Sequence, residues 1–273
     1  MVKPALNKDT RLCISLAARP SNIGTRFHNY LYEQLGLDFI YKAFTTTDIA
    51  GAIGGVRALG IRGCSVSMPF KQDVLALVDQ VEDSARAINA VNTIVNDDGV
   101  LTAANTDYTA VQRLITEHGL DPDAAVLIRG SGGMASAVAT AFRDSGFQDG
   151  TIVARNSDSG PELAQRLGYD WRSEVGDLRA PVIVNVTPIG MADGPEEHEP
   201  AYADDVIAAA QTVFDVVAVP SETPLIVAAR AAGKQVITGA EVIALQAAEQ
   251  FERYTGVRPT PEQVAEASAY SRA

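Results

Sequence analysis

The chain has 273 residues and a formal net charge of -12, from 22 Lys and Arg against 34 Asp and Glu residues. The acidic excess is not interrupted by a Lys/Arg run, so the average field repels a phosphate backbone and nucleic acid is not an expected partner. No apolar run approaches the ~18 residues of a membrane span, and no signal-peptide pattern is present. We therefore expect a cytoplasmic protein with no membrane partner.

The thiol and imidazole residues point to neither a disulfide nor a metal. Cys13 and Cys64 each lie in an apolar stretch, which predicts buried free thiols in a reducing compartment. His28, His118 and His198 are far apart and have no ligand spacing, so no metal site is expected.

The N-terminal part alternates between strand-like and helical patterns, which predicts a mostly parallel α/β sheet finished by short strands. A hairpin turn is expected at Asp97-Asp98-Gly99. The predicted strands are Leu12 to Leu16, Phe39 to Phe44, Gly63 to Ser67 and Thr93 to Val95, and the predicted helices are Arg26 to Leu35, Asp48 to Leu59 and Lys71 to Val78.

A helix from Asp107 to His118 leads into a second alternation, whose order is typical of a doubly wound, Rossmann-type sheet. Its strands are expected at Ala125 to Ile128, Thr151 to Ala154, Val182 to Val186 and Thr212 to Val217, with helices at Met134 to Ser145 and Pro161 to Leu167. After Gly239 the pattern is helical, and Thr260 with Gln263 has the spacing of a capping box. We expect one domain at 1–105, joined by the helices of 239–273, and another at 106–238.

A glycine loop follows the first strand of the second alternation and opens a helix. It runs through Gly130, Ser131, Gly132, Gly133, Met134 and Ala135. The first glycine permits a tight turn, Gly132 lets the backbone approach a pyrophosphate, and Ala135 allows close helix packing. The helix N-terminus then presents N–H donors to the anion, which predicts a dinucleotide cofactor.

The end of the next strand indicates which dinucleotide binds. NAD-selective sites place an acidic residue there for the ribose 2′-hydroxyl, whereas this strand ends in Arg155 and Asn156. A guanidinium suits a 2′-phosphate, so NADP is the expected cofactor. The alternative for Arg155 is an ordinary exposed arginine.

Several stretches in one order resemble the shikimate dehydrogenase family along nearly the whole chain. The resemblance includes Ser65 to Lys71, Ala90 to Ile94, Asn105-Thr106-Asp107, the glycine loop, Asn185 to Met191, Thr223-Pro224-Leu225 and Gly239 to Gln246. It implies an N-terminal α/β substrate domain, a Rossmann-type NADP domain and a small cyclic hydroxy acid as substrate.

The resemblance also implies roles for single residues. Lys71 and Asp107 would be the catalytic pair, and the residues that hydrogen-bond substrate hydroxyls would be Ser67, Asn92 and Gln246. NADP would be held by Gly130 to Ala135 with Arg155 and Asn156, and Thr187, Val216 and Gly239 would lie along the nicotinamide. Which member of the catalytic pair is the general base stays open.

The sequence departs from the family at the substrate carboxylate site. Family members of the main aromatic pathway have a Ser-x-Ser-Pro segment just before a His-Asn pair, but Asn22 and Gly24 stand at the serine spacings here. Ser21, Asn22 and Thr25 are therefore the expected, altered carboxylate donors. Asp215 also lacks the usual tyrosine three residues later. These changes resemble the shikimate dehydrogenase-like branch.

The expected activity is the NADP-dependent interconversion of shikimate, or a close cyclic hydroxy acid, with its 3-dehydro ketone, at a modest rate on shikimate. Quinate or aminoshikimate dehydrogenase and a non-catalytic NADP sensor are the alternatives. A pure sensor would not require Lys71, Asn92 and Asp107. A monomer and a homodimer are both compatible with the sequence.

Overall fold

A computed structural model describes residues 2–272 of the chain and divides it into two compact units. The first unit contains the chain up to Thr106 and again from Ala244 onward, and the second spans Asp107–Ile243. The α/β fold class expected from the sequence is confirmed.

The first unit is built around a six-stranded mixed sheet with the strand order β2-β1-β3-β5-β6-β4. β5 runs antiparallel to both of its neighbours, β3 and β6. The strands are β1 Arg11–Ala17, β2 Phe39–Thr45, β3 Gly63–Val66, β4 Gln80–Val81, β5 Thr93–Asp97 and β6 Val100–Ala104. The helices are α1 Ile23–Leu35, α2 Ile49–Ala58, a 3-10 helix Asp73–Leu77, α3 Asp83–Arg86 and, at the C-terminal end, α10 Pro261–Arg272.

Both faces of this sheet are buried, because alternate side chains of a strand point to opposite faces. Cys13 of β1 faces a core that includes Phe27 of α1 and Phe251. Ile14 and Leu16 of the same strand point to the opposite face and a second core, formed mainly with α2 and the 3-10 helix. A strand such as β1, with apolar side chains on both faces, therefore needs a helical layer on each side.

The C-terminal segment completes the first of these cores. A Cβ at Gly63 of β3 would lie 2.3 Å from the Tyr254 ring, so only glycine lets that ring lie flat against the sheet. The Arg62 guanidinium donates to the carbonyl oxygens of Tyr254 (2.9 Å) and Arg253 (3.3 Å). Residues from the two ends of the chain thus share one core.

The second unit is a parallel sheet with the order β9-β8-β7-β10-β11-β12, which is the doubly wound Rossmann arrangement. Its strands are β7 Val126–Arg129, β8 Gly150–Val153, β9 Asp170–Arg172, β10 Val182–Asn185, β11 Thr212–Asp215 and β12 Gln235–Thr238. Its helices are α5 Gly133–Asp144, α6 Ser159–Leu167, α7 Asp204–Ala209 and α8 Pro224–Ala231. The strand order reverses between β7 and β10. Doubly wound sheets bind their ligands at this point, beyond the carboxyl ends of the strands.

Two further helices carry the chain from one unit to the other. α4 spans Thr106–Glu117, and α9 spans Gly239–Thr255. The unit boundaries fall after Thr106 and after Ile243, so each crossing lies within a helix.

The predicted local motifs are largely confirmed. Asp98 and Gly99 both have positive φ in the β5–β6 hairpin. Thr260 and Gln263 form the capping box, with Gln263 Oε1 2.9 Å from Thr260 N and Thr260 Oγ1 3.3 Å from Gln263 N. The α-helix predicted at Lys71 to Val78 is wrong, since the segment forms only the short 3-10 helix. It ends early because Asp79 N bonds to the carbonyl of Leu101 and draws the chain into the sheet.

Both cysteines are buried free thiols, as predicted. Within residues 2–272, no helix is both long and apolar enough to cross a membrane. The same residues contain no group of three or more His, Cys, Asp or Glu side chains able to hold a metal ion.

Candidate functional site

Asn92 is the most informative polar residue of the first unit. It is only 1% exposed, and its Oδ1 accepts bonds from Thr93 Oγ1 (2.8 Å), Thr106 N (2.8 Å) and Thr106 Oγ1 (3.2 Å). Its Nδ2 is also buried but has no hydrogen-bond partner among the described residues. A buried amide left without an acceptor is costly, so the fixed Oδ1 and unused Nδ2 are suited to a ligand oxygen.

Backbone hydrogen bonds hold the chain at Lys71 and at Ser67 next to the Asn92 segment. The N–H of Val91 donates to the Lys71 carbonyl at 2.7 Å, and the N–H of Val66, just before Ser67, donates to the Asn92 carbonyl at 2.8 Å. Asp107 directly follows Thr106 and lies in the first turn of α4, where it is 5% exposed. The sequence places a carboxylate at a helix start, which the macrodipole favours.

Gln250 is a residue that the sequence analysis missed. Its Nε2 donates to Thr93 Oγ1 (3.0 Å) and to the Asn92 carbonyl (3.4 Å), so α9 is tied to the Asn92 segment. The predicted Gln246 lies one turn earlier, and residues four apart share a helix face. That spacing was visible in the sequence and could have identified Gln250.

The predicted carboxylate donors lie at the start of α1. Asn22 occupies the N-cap position without a side-chain cap bond, and Ser21 Oγ accepts weakly from Ile23 N at 3.4 Å. Thr25 Oγ1 is buried and has no partner among residues 2–272. The Met68 carbonyl accepts from Ala18 N at 3.2 Å, which holds the chain leading to this segment beside the Ser67-Met68 turn.

The His-Asn pair after this segment has a packing role. His28 is fully buried and stacks on Tyr41 with a centroid distance of 4.3 Å, and burial lowers its pKa to about 3. Asn29 bridges α1 to β2 by donating to the carbonyls of Thr25 and Tyr41 and accepting from Tyr41 N. The pair therefore fixes where α1 begins relative to the sheet.

The glycine loop of the second unit has the geometry needed for a pyrophosphate. Gly130 has φ +132°, and a Cβ there would lie 2.8 Å from the Val186 carbonyl oxygen. No atom would lie within 4 Å of a Cβ at Gly132 or Gly133, so the backbone at the start of α5 is open to a ligand. Among the other loop residues, Ala135 is fully buried and Ser131 Oγ bonds Ser159 Oγ at 2.8 Å.

A cavity of about 650 Å³ opens at the carboxyl ends of β7, β8 and β10. Its wall includes Arg155, Asn156 and Thr187 together with Gly130 and Ser131 of the loop. Arg155 is exposed, and within residues 2–272 its guanidinium has no ion-pair partner. Asn156 Oδ1 accepts from the backbone N–H groups of Asp158 and Ser159 (both 2.9 Å), which initiates α6.

The ends of β10 and β11 are joined by buried polar groups. Asp215 accepts from Asn185 Nδ2 (3.0 Å), Thr223 Oγ1 (2.7 Å) and Val217 N (3.0 Å). Burial raises the pKa of Asp215 to about 6. Thr187 Oγ1 donates to Asn185 Oδ1 at 2.6 Å, so the loop after β10 has a fixed shape.

Gly239 and Val216, both expected along the nicotinamide, lie against each other. A Cβ at Gly239 would lie 2.4 Å from the carbonyl oxygens of Val216 and Val217. The start of α9 thus packs directly on the backbone that follows β11.

Comparison with known proteins agrees with this arrangement. A family model described as the shikimate dehydrogenase substrate binding domain matches residues 22–94. A shikimate dehydrogenase-like protein from Haemophilus influenzae is 56% identical over 267 residues, which is 98% of this chain and 98% of that protein. This chain belongs to the shikimate dehydrogenase family.

Solved structures of the shikimate dehydrogenase family superpose along most of the chain. One shikimate 5-dehydrogenase-like protein has a TM-score of 0.97 and 55% identity, covering 98% of this chain and 100% of that one. Shikimate 5-dehydrogenase from Thermus thermophilus, in complex with NADP(H) and shikimate, has a TM-score of 0.85 and 27% identity, covering 96% and 99%. The family resemblance predicted from the sequence is confirmed.

The shikimate dehydrogenase fold alone does not select the substrate or the cofactor. Quinate dehydrogenase from Corynebacterium glutamicum, in complex with NAD, has a TM-score of 0.87 and 26% identity, covering 96% of this chain and 98% of that one. Its TM-score of 0.87 is close to the 0.85 of the shikimate enzyme above. Specificity must therefore come from individual side chains.

Proposed function

We propose that this protein is an NADP-dependent oxidoreductase that interconverts shikimate, or a close cyclic hydroxy acid, with its 3-dehydro ketone. Membership of the shikimate dehydrogenase family supports a nicotinamide-linked dehydrogenase. The observation that carries the substrate assignment is the buried Nδ2 of Asn92, a donor with no partner among the described residues. A substrate hydroxyl is an acceptor that would satisfy it.

Lys71 and Asp107 are proposed to handle the proton of the reacting hydroxyl. Oxidation of an alcohol removes one hydride and one proton, and the nicotinamide ring supplies hydride acceptance when it is bound. The proton leaves the hydroxyl oxygen through the Lys71–Asp107 pair and returns by the same route in ketone reduction. Ser67, Asn92 and Gln246 hold the other substrate hydroxyls, which fixes the ring against rotation.

NADP is proposed to bind the second unit. The open backbone at Gly132 and Gly133 fits a pyrophosphate at the start of α5. Arg155 has no ion-pair partner among residues 2–272, so its guanidinium fits the 2′-phosphate. Asn156 uses its Oδ1 for the start of α6, and its side-chain N–H groups can donate to the same phosphate. Thr187, Val216 and Gly239 are assigned to the nicotinamide side.

The domain roles follow from these assignments. Residues 1–105 with the helices of 239–273 are proposed to bind the hydroxy acid, and residues 106–238 to bind NADP. The two buried free thiols are compatible with work in the cytoplasm. The oligomeric state is proposed to be a monomer or a homodimer.

The direct test is a screen of shikimate, quinate and aminoshikimate, each with NADP and with NAD, followed by the absorbance of the reduced nicotinamide. We expect turnover with NADP and shikimate or a close relative. Turnover of quinate with NAD alone would favour the quinate alternative. An absence of turnover with every acid, combined with tight NADP binding, would favour a sensor.

The Asn92→Asp variant tests the observation that carries the substrate assignment. Asp keeps an acceptor for the Thr106 N–H but replaces the amide donor by a second acceptor oxygen. We expect the KM for the best acid to rise about tenfold or more, while the Kd for NADP is unchanged. An unchanged KM would remove Asn92 from the substrate contacts.

Restoring the family serines should improve the use of shikimate. A serine at position 24 fits, because a Cβ there would make ordinary contact with Tyr41 Oη at 3.6 Å. The double variant Asn22→Ser with Gly24→Ser should lower the KM for shikimate about tenfold, since hydroxyls that donate to a carboxylate form charge-assisted hydrogen bonds. Steady-state kinetics measure this, with the Kd for NADP as the control. If the KM does not change, the segment at the start of α1 is not the carboxylate contact.

A further inference from the structure

Arg129 is a charged residue that the proposed roles leave unused. It is the last residue of β7, is half-buried, and lines the 650 Å³ cavity. Its guanidinium donates to the Ala201 carbonyl and lies 5.9 Å from the centroid of the Tyr202 ring. Within residues 2–272 it has no carboxylate partner.

A half-buried guanidinium without a counter-ion is unusual, because the group stays charged and burial removes part of its hydration. Two other arginines of this chain with little side-chain exposure are paired. Arg62, with 16% of its side chain exposed, pairs with Asp97. Arg253, with 24% exposed, pairs with Glu82 at 2.8 Å and Glu249 at 2.9 Å. Arg129 lacks such an anion and faces a ligand-sized space.

The strand register brings Arg129 to the same edge of the sheet as Arg155. β7 and β8 are parallel neighbours in which Arg129 aligns with Val153, and Arg155 lies two residues further along. Adjacent strands are about 4.8 Å apart, and an extended arginine spans more than that distance. Two guanidinium groups from neighbouring strands therefore line one cavity wall.

The support beneath Arg129 is rigid. The Tyr202 hydroxyl lies 3.1 Å from the Leu127 carbonyl oxygen and 2.9 Å from that of Val184, which fixes the ring across β7 and β10. The bond from Arg129 to Ala201 anchors one end of the guanidinium and leaves its other N–H groups for a ligand. A cation fixed in this way loses little freedom when an anion binds.

We propose that Arg129 is a second cationic contact for the 2′-phosphate of NADP, beside Arg155. This inference rests on the proposed cofactor site. The pyrophosphate is assigned to the N–H groups at the start of α5, whereas Arg129 shares its cavity wall with Arg155. Two carboxylates also lie on that wall, and one of them, Asp205, is paired with Arg179. The other, Glu174, would repel a phosphate, and a second arginine would offset that repulsion.

The test is calorimetric titration of NADP and NAD into Arg129→Gln, which removes the charge but keeps a donor for the Ala201 carbonyl. The Kd for NADP should rise about tenfold and that for NAD less than twofold. Arg129→Lys keeps the charge and should retain most of the NADP affinity. Adenosine 2′,5′-bisphosphate should lose affinity in Arg129→Gln, and adenosine 5′-monophosphate should not.

Arg155→Ala in the same series distinguishes failure of the proposed NADP site from failure of the proposed Arg129 contact. If the unmodified chain does not bind NADP, the proposed cofactor site fails. If it binds NADP and Arg155→Ala weakens that binding, but Arg129→Gln binds both cofactors as the unmodified chain does, only the role of Arg129 is overturned. Equal weakening of NADP and NAD by Arg129→Gln also overturns it. Urea unfolding followed by Trp171 fluorescence shows whether each variant is folded.

Discussion

Lys71→Ala lowers kcat on the best substrate by about 100-fold or more, because a positioned proton-transfer group contributes about 10²–10⁴ in rate. The Kd for NADP stays near that of the unmodified chain, since Lys71 belongs to the first unit and the glycine loop to the second. Asp107→Asn causes a comparable loss by removing the charge of the pair. Steady-state kinetics with calorimetric NADP binding measure both effects.

The double variant provides the sharper measurement. Residues that act as one unit fail together, so the combined loss should be far smaller than the product of the two single losses. Lys8→Ala is the matched control, because Lys8 is 88% exposed and should leave kcat unchanged. If Lys71→Ala retains most of its kcat, or if the two losses multiply independently, the proposed pair is wrong.

Gly239→Ala destabilises the second unit by about 3 kcal/mol or more. The added Cβ would lie 2.4 Å from two backbone oxygens, and backbone cannot move aside as a flexible side chain can. Trp171, the only tryptophan, lies in the same unit, so urea unfolding followed by its fluorescence reports the loss. NADP binding should weaken with it.

Gly54→Ala is the matched control for Gly239→Ala. Gly54 lies within α2, and a Cβ there would meet no atom within 4 Å. The same chemical change should therefore stabilise the first unit by about 0.5–1 kcal/mol, since alanine is the better helix former. A Gly239→Ala protein as stable as the unmodified chain would contradict the close packing of α9 on the backbone after β11.

Local signals were sufficient for much of the fold. The glycine loop lies between a strand and a helix as its motif predicts, and the Asp98-Gly99 turn and the capping box follow from backbone preferences within four residues. The helix α8 was not predicted, although Thr223 caps Ile226 N and Pro224 occupies its first turn. Thr-Pro before an apolar run is a recognisable helix start.

The errors arose where distant segments decide the outcome. The segment at 71–78 has helical spacing, but the hydrogen bond from Asp79 N to the Leu101 carbonyl pairs the end of the segment with the sheet. β9 has three residues and β12 has four, so their pairing rests on neighbours rather than on their own patterns. At the site, Asn92 was predicted from the family resemblance. Its side-chain orientation could not be predicted, because it depends on a hydrogen bond to Thr106, which is 14 residues away.

The shared core of the first unit has a consequence for synthesis on the ribosome. The second unit is one continuous segment, so it can fold as soon as it has been made. The first 106 residues must wait for the rings of Phe251 and Tyr254, which are made only after the whole second unit. At about 5–20 residues per second that delay is roughly 7–30 seconds. During this interval Cys13 and the apolar residues of its core are not packed against Phe251 and Tyr254. The nascent N-terminal sheet is therefore the part of the chain most in need of a chaperone.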